Sequence, residues 1–238
     1  MKIYQSLGLT FGLILISIQP ALAGISVGAS RIIIYAGESS KAIEINNSSN
    51  SQPYLINVDI SRDISGESVD TPFVTAPALF RIEPGNTNKI RILKKVNTLP
   101  TNRESLFYFN AMAIPSSKVG ETQAATSVGG LLQVATGNTI KLFYRPSDFD
   151  MTQKEAMGRL QFTHDSRGVK VSNPTPYYIS LSKLIIDGKV IKLDVTNGSS
   201  MIAPFGDYVY PVNTPRGKVE WKAINDFGGL ENFDGTIN

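Results

Sequence analysis

The chain has 238 residues, 23 basic and 20 acidic, with one histidine and no cysteine. Without cysteine there is neither a disulfide framework nor thiol chemistry, and a lone histidine serves a metal site poorly. The slight basic excess is dispersed, no basic run exceeds Lys94-Lys95, and nucleic acid is not an expected partner.

Residues 1–23 read as an export signal. Lys2 supplies the positive start, Leu7 to Ile18 a short apolar run, and Ala21-Leu22-Ala23 a small-x-small cleavage site. The run is too short to span a bilayer, so export without membrane insertion is expected, with Gly24 as the mature start.

From there the pattern is strand after short strand. In KAIEIN, Ile43 and Ile45 alternate with Glu44, and Asn46 to Asn50 supplies a polar turn. Ile56, Val58 and Ile60 alternate in YLINVDIS, as do Ile90 and Ile92 in NKIRIL. RIEPGN, Arg81 to Asn86, reads as a turn with Pro84-Gly85 at its tip. SLFYFNAMAI, Ser105 to Ile114, reads as a long strand closed by Pro115. So does GGLLQVATGNTIKLFYRP, Gly129 to Pro146, which loosens at Gly137-Asn138 before becoming densely apolar. The early half of that segment could be a sheet edge in need of a partner. On pattern alone, burial of both its parities in its own core is the simpler reading.

Pro146-Ser147-Asp148 marks a boundary, after which MTQKEAMGRL, Met151 to Leu160, offers a turn or two of helix. Further strands are expected at Gly168 to Ser172, Tyr178 to Asp187, Lys189 to Val195, Tyr208 to Val212 and Lys218 to Ile224, with Asp187-Gly188 as a hairpin turn. Strands at this spacing, with almost no helical period, predict an all-β chain of two β-sandwich domains, 24–146 and 147–238.

Candidate chemistry is sparse. Thr163-His164-Asp165-Ser166 holds the letters of a hydrolase triad, but contiguous residues cannot converge as a triad does, and a solvated turn is the simpler reading. Asn46-Asn47-Ser48, Asn47-Ser48-Ser49 and Asn197-Gly198-Ser199 match the glycosylation pattern, though simple turns explain them. No phosphate loop follows a strand and opens a helix. Neither an enzyme nor a cofactor is expected. Two cations do stand out: Arg31 precedes Ile32-Ile33-Ile34, and Lys141 precedes Leu142-Phe143-Tyr144. A cation in such a segment must reach solvent or find an anion.

PALFRIEPG (Pro77 to Gly85), NRESLFYFNAMAIP (Asn102 to Pro115), IKLFYRP (Ile140 to Pro146), NPTPYYISL (Asn173 to Leu181), MIAPF (Met201 to Phe205) and INDFGG (Ile224 to Gly229) occur in that order. In these motifs the chain resembles the periplasmic chaperones of the chaperone–usher pilus pathway, along nearly its whole mature length. The resemblance implies two immunoglobulin-like domains set as an L, with a client-binding cleft between them. It assigns Arg31 and Lys141 to the anchor for the C-terminal carboxylate of a pilus subunit. Leu132, Val134 and Thr136 become the side chains donated to a subunit that lacks its last strand. Glu104, Arg145 and Asp226 become a structural interdomain ion cluster.

The implied partners are pilus or fimbrial subunits and an outer-membrane usher, and the implied location is the periplasm. Self-association is open to the free chain through the same donor edge. Thr136 stands where the family favours a bulky aliphatic, and Gly137-Asn138 follows it. Ser116 to Leu131 is longer than in short-loop members and lacks the cysteine pair of long-loop ones, while the second domain lacks the disulfide of some relatives. The rival reading is a structural pilin or adhesin-type immunoglobulin-like module. Two domains and no cysteine count against it. A periplasmic hydrolase would need a convergent nucleophile or metal site that the sequence does not offer.

Overall fold

A computed structural model of the chain describes residues 24–95, 99–116 and 134–238. The export signal and Leu132 lie outside them. Nine strands come first: β1 (Ile25–Val27), β2 (Ile32–Tyr35), β3 (Ser40–Asn47), β4 (Tyr54–Ser61), β5 (Phe73–Ala76), β6 (Leu79–Ile82), β7 (Thr87–Lys94), β8 (Ser105–Pro115) and β9 (Thr136–Arg145). They form a four-stranded sheet, β1-β3-β7-β5, and a five-stranded sheet, β2-β9-β8-β4-β6. The period-two residues meet between the sheets: Ile43, Ile45, Ile56, Val58, Ile60, Ile90 and Ile92 are all buried, with Phe107, Phe109, Leu142 and Tyr144. Each such aliphatic contributes roughly 1.5–3 kcal/mol by leaving water, which is why the alternation dictates the layering.

Two of the crossings between these sheets involve residues that the sequence singles out. The amino-terminal chain leaves the four-stranded sheet after β1 and enters the other as β2, parallel to β9, and Arg31 sits at that crossing. Between β5 and β6 the chain again changes sheets, across the cis Ala76-Pro77 bond. The Pro84-Gly85 turn forms as expected, with Gly85 at φ 71°, a value a side chain would disfavour.

After Arg145 come α1 (Gln153–Met157), β10 (Gln161–Asp165), β11 (Gly168–Ser172), β12 (Ile179–Ile186), β13 (Lys189–Val190), β14 (Met201–Ile202), β15 (Asp207–Tyr210), β16 (Lys218–Ile224) and β17 (Leu230–Thr236). A three-stranded sheet, β10-β11-β15, faces a five-stranded one built from β13-β12-β16-β17, with β14 on β12. This second core is separate from the first and holds Phe162, Val169, Val171, Leu184, Trp221 and Ala223. The short helix carries a capping box between Thr152 and Glu155 and receives a hydrogen bond from Trp221 Nε1 at the Met157 carbonyl, 3.0 Å.

Two local expectations change, while the turn at Asn47 is as expected. Thr163, His164 and Asp165 belong to β10, because Phe162 packs on Trp221 and carries its neighbours into a strand; the turn is Ser166-Arg167. The strand expected from Lys189 to Val195 stops at Val190. Asp194 Oδ1 accepts from Thr196 N at 2.7 Å and Oγ1 at 2.6 Å, folding that end into a turn. Asn47 is fully buried, donating Nδ2 to the Gln52 carbonyl (2.8 Å) and accepting from Ser49 N (3.0 Å), so it closes a turn and offers no surface amide for glycosylation. The Asp187-Gly188 hairpin is as expected, both residues having positive φ (51° and 75°).

Candidate functional site

Side-chain alternation builds the cleft. On β9, Leu142 and Tyr144 point into the first core, so Lys141 and Phe143 point out of it. On the second domain, Tyr177, Ile179 and Leu181 point into their own core, so Tyr178 and Ser180 point away. These outward parities meet. The rings of Phe143 and Tyr178 lie 5.8 Å apart, and Lys141 Nζ donates to Ser180 Oγ at 3.3 Å.

Arg31 closes the same corner from the crossing before β2. Its Nη1 donates to the Ile224 carbonyl at 3.0 Å, and its guanidinium carbon sits 5.9 Å from the centre of the Phe143 ring. Its Nε is buried and has no hydrogen-bond partner among the described residues. Neither Arg31 nor Lys141 forms an ion pair among those residues. The cost shows in their protonation. Burial, and then the charge of Arg31, pushes the Lys141 ammonium down to about 8. Burial likewise lowers Arg31, against partial support from Asp226 and Glu104. Arg31 also lines an open groove of about 550 Å³ with Ile33, Tyr35 and Phe227, so it is reachable from outside.

The acids that would neutralise these cations are held elsewhere. Arg145 Nε donates to Glu104 Oε1 at 2.7 Å, and its two terminal nitrogens clamp Asp226 at 2.7 and 2.8 Å. Glu104 Oε2 accepts from Tyr178 N at 2.8 Å, and Glu104 N donates to the Pro176 carbonyl at 2.9 Å. Glu104 is 3% exposed, and burial lifts its carboxyl above the ordinary range despite the guanidinium beside it. Burial works against the Arg145 charge, but the bonds to Asp226 and the charge of Glu104 outweigh it and raise its pKa. Glu104 and Arg145 come from one domain and Asp226, Tyr178 and Pro176 from the other, so the cluster joins the two.

This arrangement is a two-cation corner, partly buried and short of anions, between two sandwiches. Residues 24–150 match the family described as "Pili and flagellar-assembly chaperone, PapD N-terminal domain", and residues 155–234 match "Pili assembly chaperone PapD, C-terminal domain". The chain belongs to the pili assembly chaperone family. It is 35% identical over 207 residues to "Probable fimbrial chaperone protein ElfD" of Escherichia coli (strain K12), covering 86% of this chain and 83% of that one. Its fold is similar to that of the E. coli chaperone DraB, with TM-score 0.76, 29% identity, and 91% and 97% of the two chains covered. It is also similar to a chain in the structure of the Salmonella enterica SafA pilin in complex with the SafB chaperone, with TM-score 0.75, 28% identity, and 91% and 98% covered. The pilin-type rival is not favoured.

Of the residues expected to be donated, Val134 precedes β9 and Thr136 begins it. Val134 is 59% exposed, Thr136 is exposed, and so is most of the stretch to Thr139, so the simpler expectation of burial on both parities does not hold for this part. The physical reason is pairing. β2 covers β9 only from Leu142 to Arg145, leaving Thr136 to Lys141 without a strand on that side among the described residues. Asn138 Nδ2 reaches the Ile25 carbonyl at 3.3 Å across the gap. Sequence reasoning did not single out Tyr178 or Ser180. The available signal was their parity in YYISL, a tyrosine and a serine facing away from a strand's core side.

Proposed function

We propose that this chaperone holds a pilus subunit by two linked features. Lys141 and Arg31 anchor the subunit's C-terminal carboxylate, and the segment that leads into β9 lends Leu132 and Val134, with Thr136 at the start of the strand, to a subunit lacking its own final strand. The observation that carries this reading is the pair of partly buried cations that, among the described residues, have no acid and lie at the end of a strand edge without a neighbour. A carboxylate meeting both would form charge-assisted hydrogen bonds of roughly 1.5–3 kcal/mol each, and would set the register in which backbone pairing along β9 follows.

In this reading the chain acts by binding alone, in the periplasm, and passes its client to an outer-membrane usher. The domains run 24–146 and 147–238, and Glu104, Arg145 and Asp226 hold them in the orientation that faces the two cations into the cleft. Support comes from the family's own description and from the location of that cluster at the junction. The test is periplasmic co-expression of a candidate subunit with the unaltered chaperone or with Lys141→Glu. The unaltered chain should yield a one-to-one complex and protect the subunit from degradation. Lys141→Glu should remain folded by circular dichroism yet recover no subunit. Normal protection by Lys141→Glu contradicts the anchor.

A further inference from the structure

Ser180 is 2% exposed although it points away from the core of its own domain; what covers it is the first domain, through Lys141. Among the described residues, no acid pairs with the Lys141 ammonium. Arg31 repels it from the segment before β2. Tyr108, directly opposite Lys141 on β8, and Tyr178, beside Ser180, are phenols held neutral by burial first. The acids Glu104 and Asp226 are taken by Arg145. One hydroxyl therefore remains as the ammonium's hydrogen-bond partner among the described residues, and it carries no charge of its own.

We infer that Ser180 is a positioning residue of the carboxylate anchor: its hydroxyl holds Lys141 in the cleft without neutralising it, so the lysine stays available to an incoming carboxylate. This role rests on Lys141 and Arg31 being that anchor. Chemistry at this position allows few alternatives. A methyl group would leave a long, flexible ammonium with no partner in a partly buried site, and it would turn toward water. A carboxylate would pair with Lys141 permanently and occupy the place meant for the client.

Such a lysine also gives the anchor a pH signature. When it lies in the cleft at about 8, it loses its proton above that pH unless a carboxylate is bound, so binding above pH 8 takes up a proton and weakens as pH rises. A lysine released to solvent would keep its charge to about 10.5.

The experiment measures binding of a short synthetic peptide of alternating valine and serine, ending in a free carboxylate, against the same peptide amidated, from pH 7 to 10. It uses the full mature chaperone and Ser180→Ala, Ser180→Thr and Ser180→Asp, each checked for its fold by circular dichroism. The unaltered chain should prefer the acid and lose that preference above pH 8. Ser180→Ala should lower the preference about tenfold and move its midpoint toward the ordinary lysine range. Ser180→Thr should restore both, and Ser180→Asp should abolish the preference. An unchanged preference and midpoint in Ser180→Ala overturns the role of Ser180. Equal binding of acid and amide by the unaltered chain overturns the anchor itself, and this inference with it.

Discussion

At the residue scale the molecule keeps two kinds of buried charge apart. Arg145 is bidentate on Asp226 and bonded to Glu104, whereas Lys141 and Arg31 have no such acid among the described residues. Removing Arg145 would strand the 3%-exposed Glu104 without its counter-ion, so Arg145→Ala should cost about 3–5 kcal/mol in chemical denaturation. Arg145→Lys should recover only part of it, because an ammonium cannot reproduce the guanidinium fork. The opposite holds for Lys141, whose charge is a burden to the empty fold. Its folded pKa of about 8 lies below the ordinary 10.5, so between those values the unfolded chain binds more protons than the folded one. Stability therefore rises as pH increases through that window, and this contribution is lost as pH falls from 10.5 to 8. Lys141→Met should remove that rise. The difference between the two chains' denaturation curves over pH 8–10.5 isolates it from the tyrosines, and a flat difference contradicts the depressed lysine.

At the element scale the decisive strand is β9, which is two strands in its pairing. From Leu142 to Arg145 it is paired on both sides, by β2 and β8, and its inward residues sit in the core; from Thr136 to Lys141 it is paired, among the described residues, by β8 alone. Hydrogen exchange should report this directly. In dilute free chaperone the amides from Thr136 to Ile140 should exchange well before those from Leu142 to Arg145, and a bound subunit should slow the first group without altering the second. Equal protection of both groups in the free monomer would mean the edge is already covered. The strands that alternation revealed were those with one face on the core, such as Ile56-Val58-Ile60. Strands β5 and β6 escaped it because each is only four residues long and they join different sheets. β17 escaped because its pairing along β16, from Leu230↔Ile224 to Thr236↔Lys218, needs little from its own side chains. The exposure of Val134 was beyond pattern reading for a similar reason: it depends on where β2 begins, and nothing in LLQVATGN encodes that.

At the scale of the whole molecule, the proposed function depends on surfaces that neither sandwich has alone. Lys141 meets Ser180, Phe143 meets Tyr178 and Arg31 reaches the Ile224 carbonyl, each contact joining segments far apart in sequence. The residues by themselves showed only two cations in apolar strands. The resemblance supplied their shared task, and the folded chain supplied Ser180, whose partner lies 39 positions earlier in the chain. The account stands most directly on where a client's last residue goes. A structure of the chaperone bound to its subunit should place the subunit's terminal carboxylate against Lys141 and Arg31, with the adjoining strand running along β9 upstream of Lys141. A subunit whose terminal carboxylate points to solvent, or whose final strand pairs elsewhere, would contradict it.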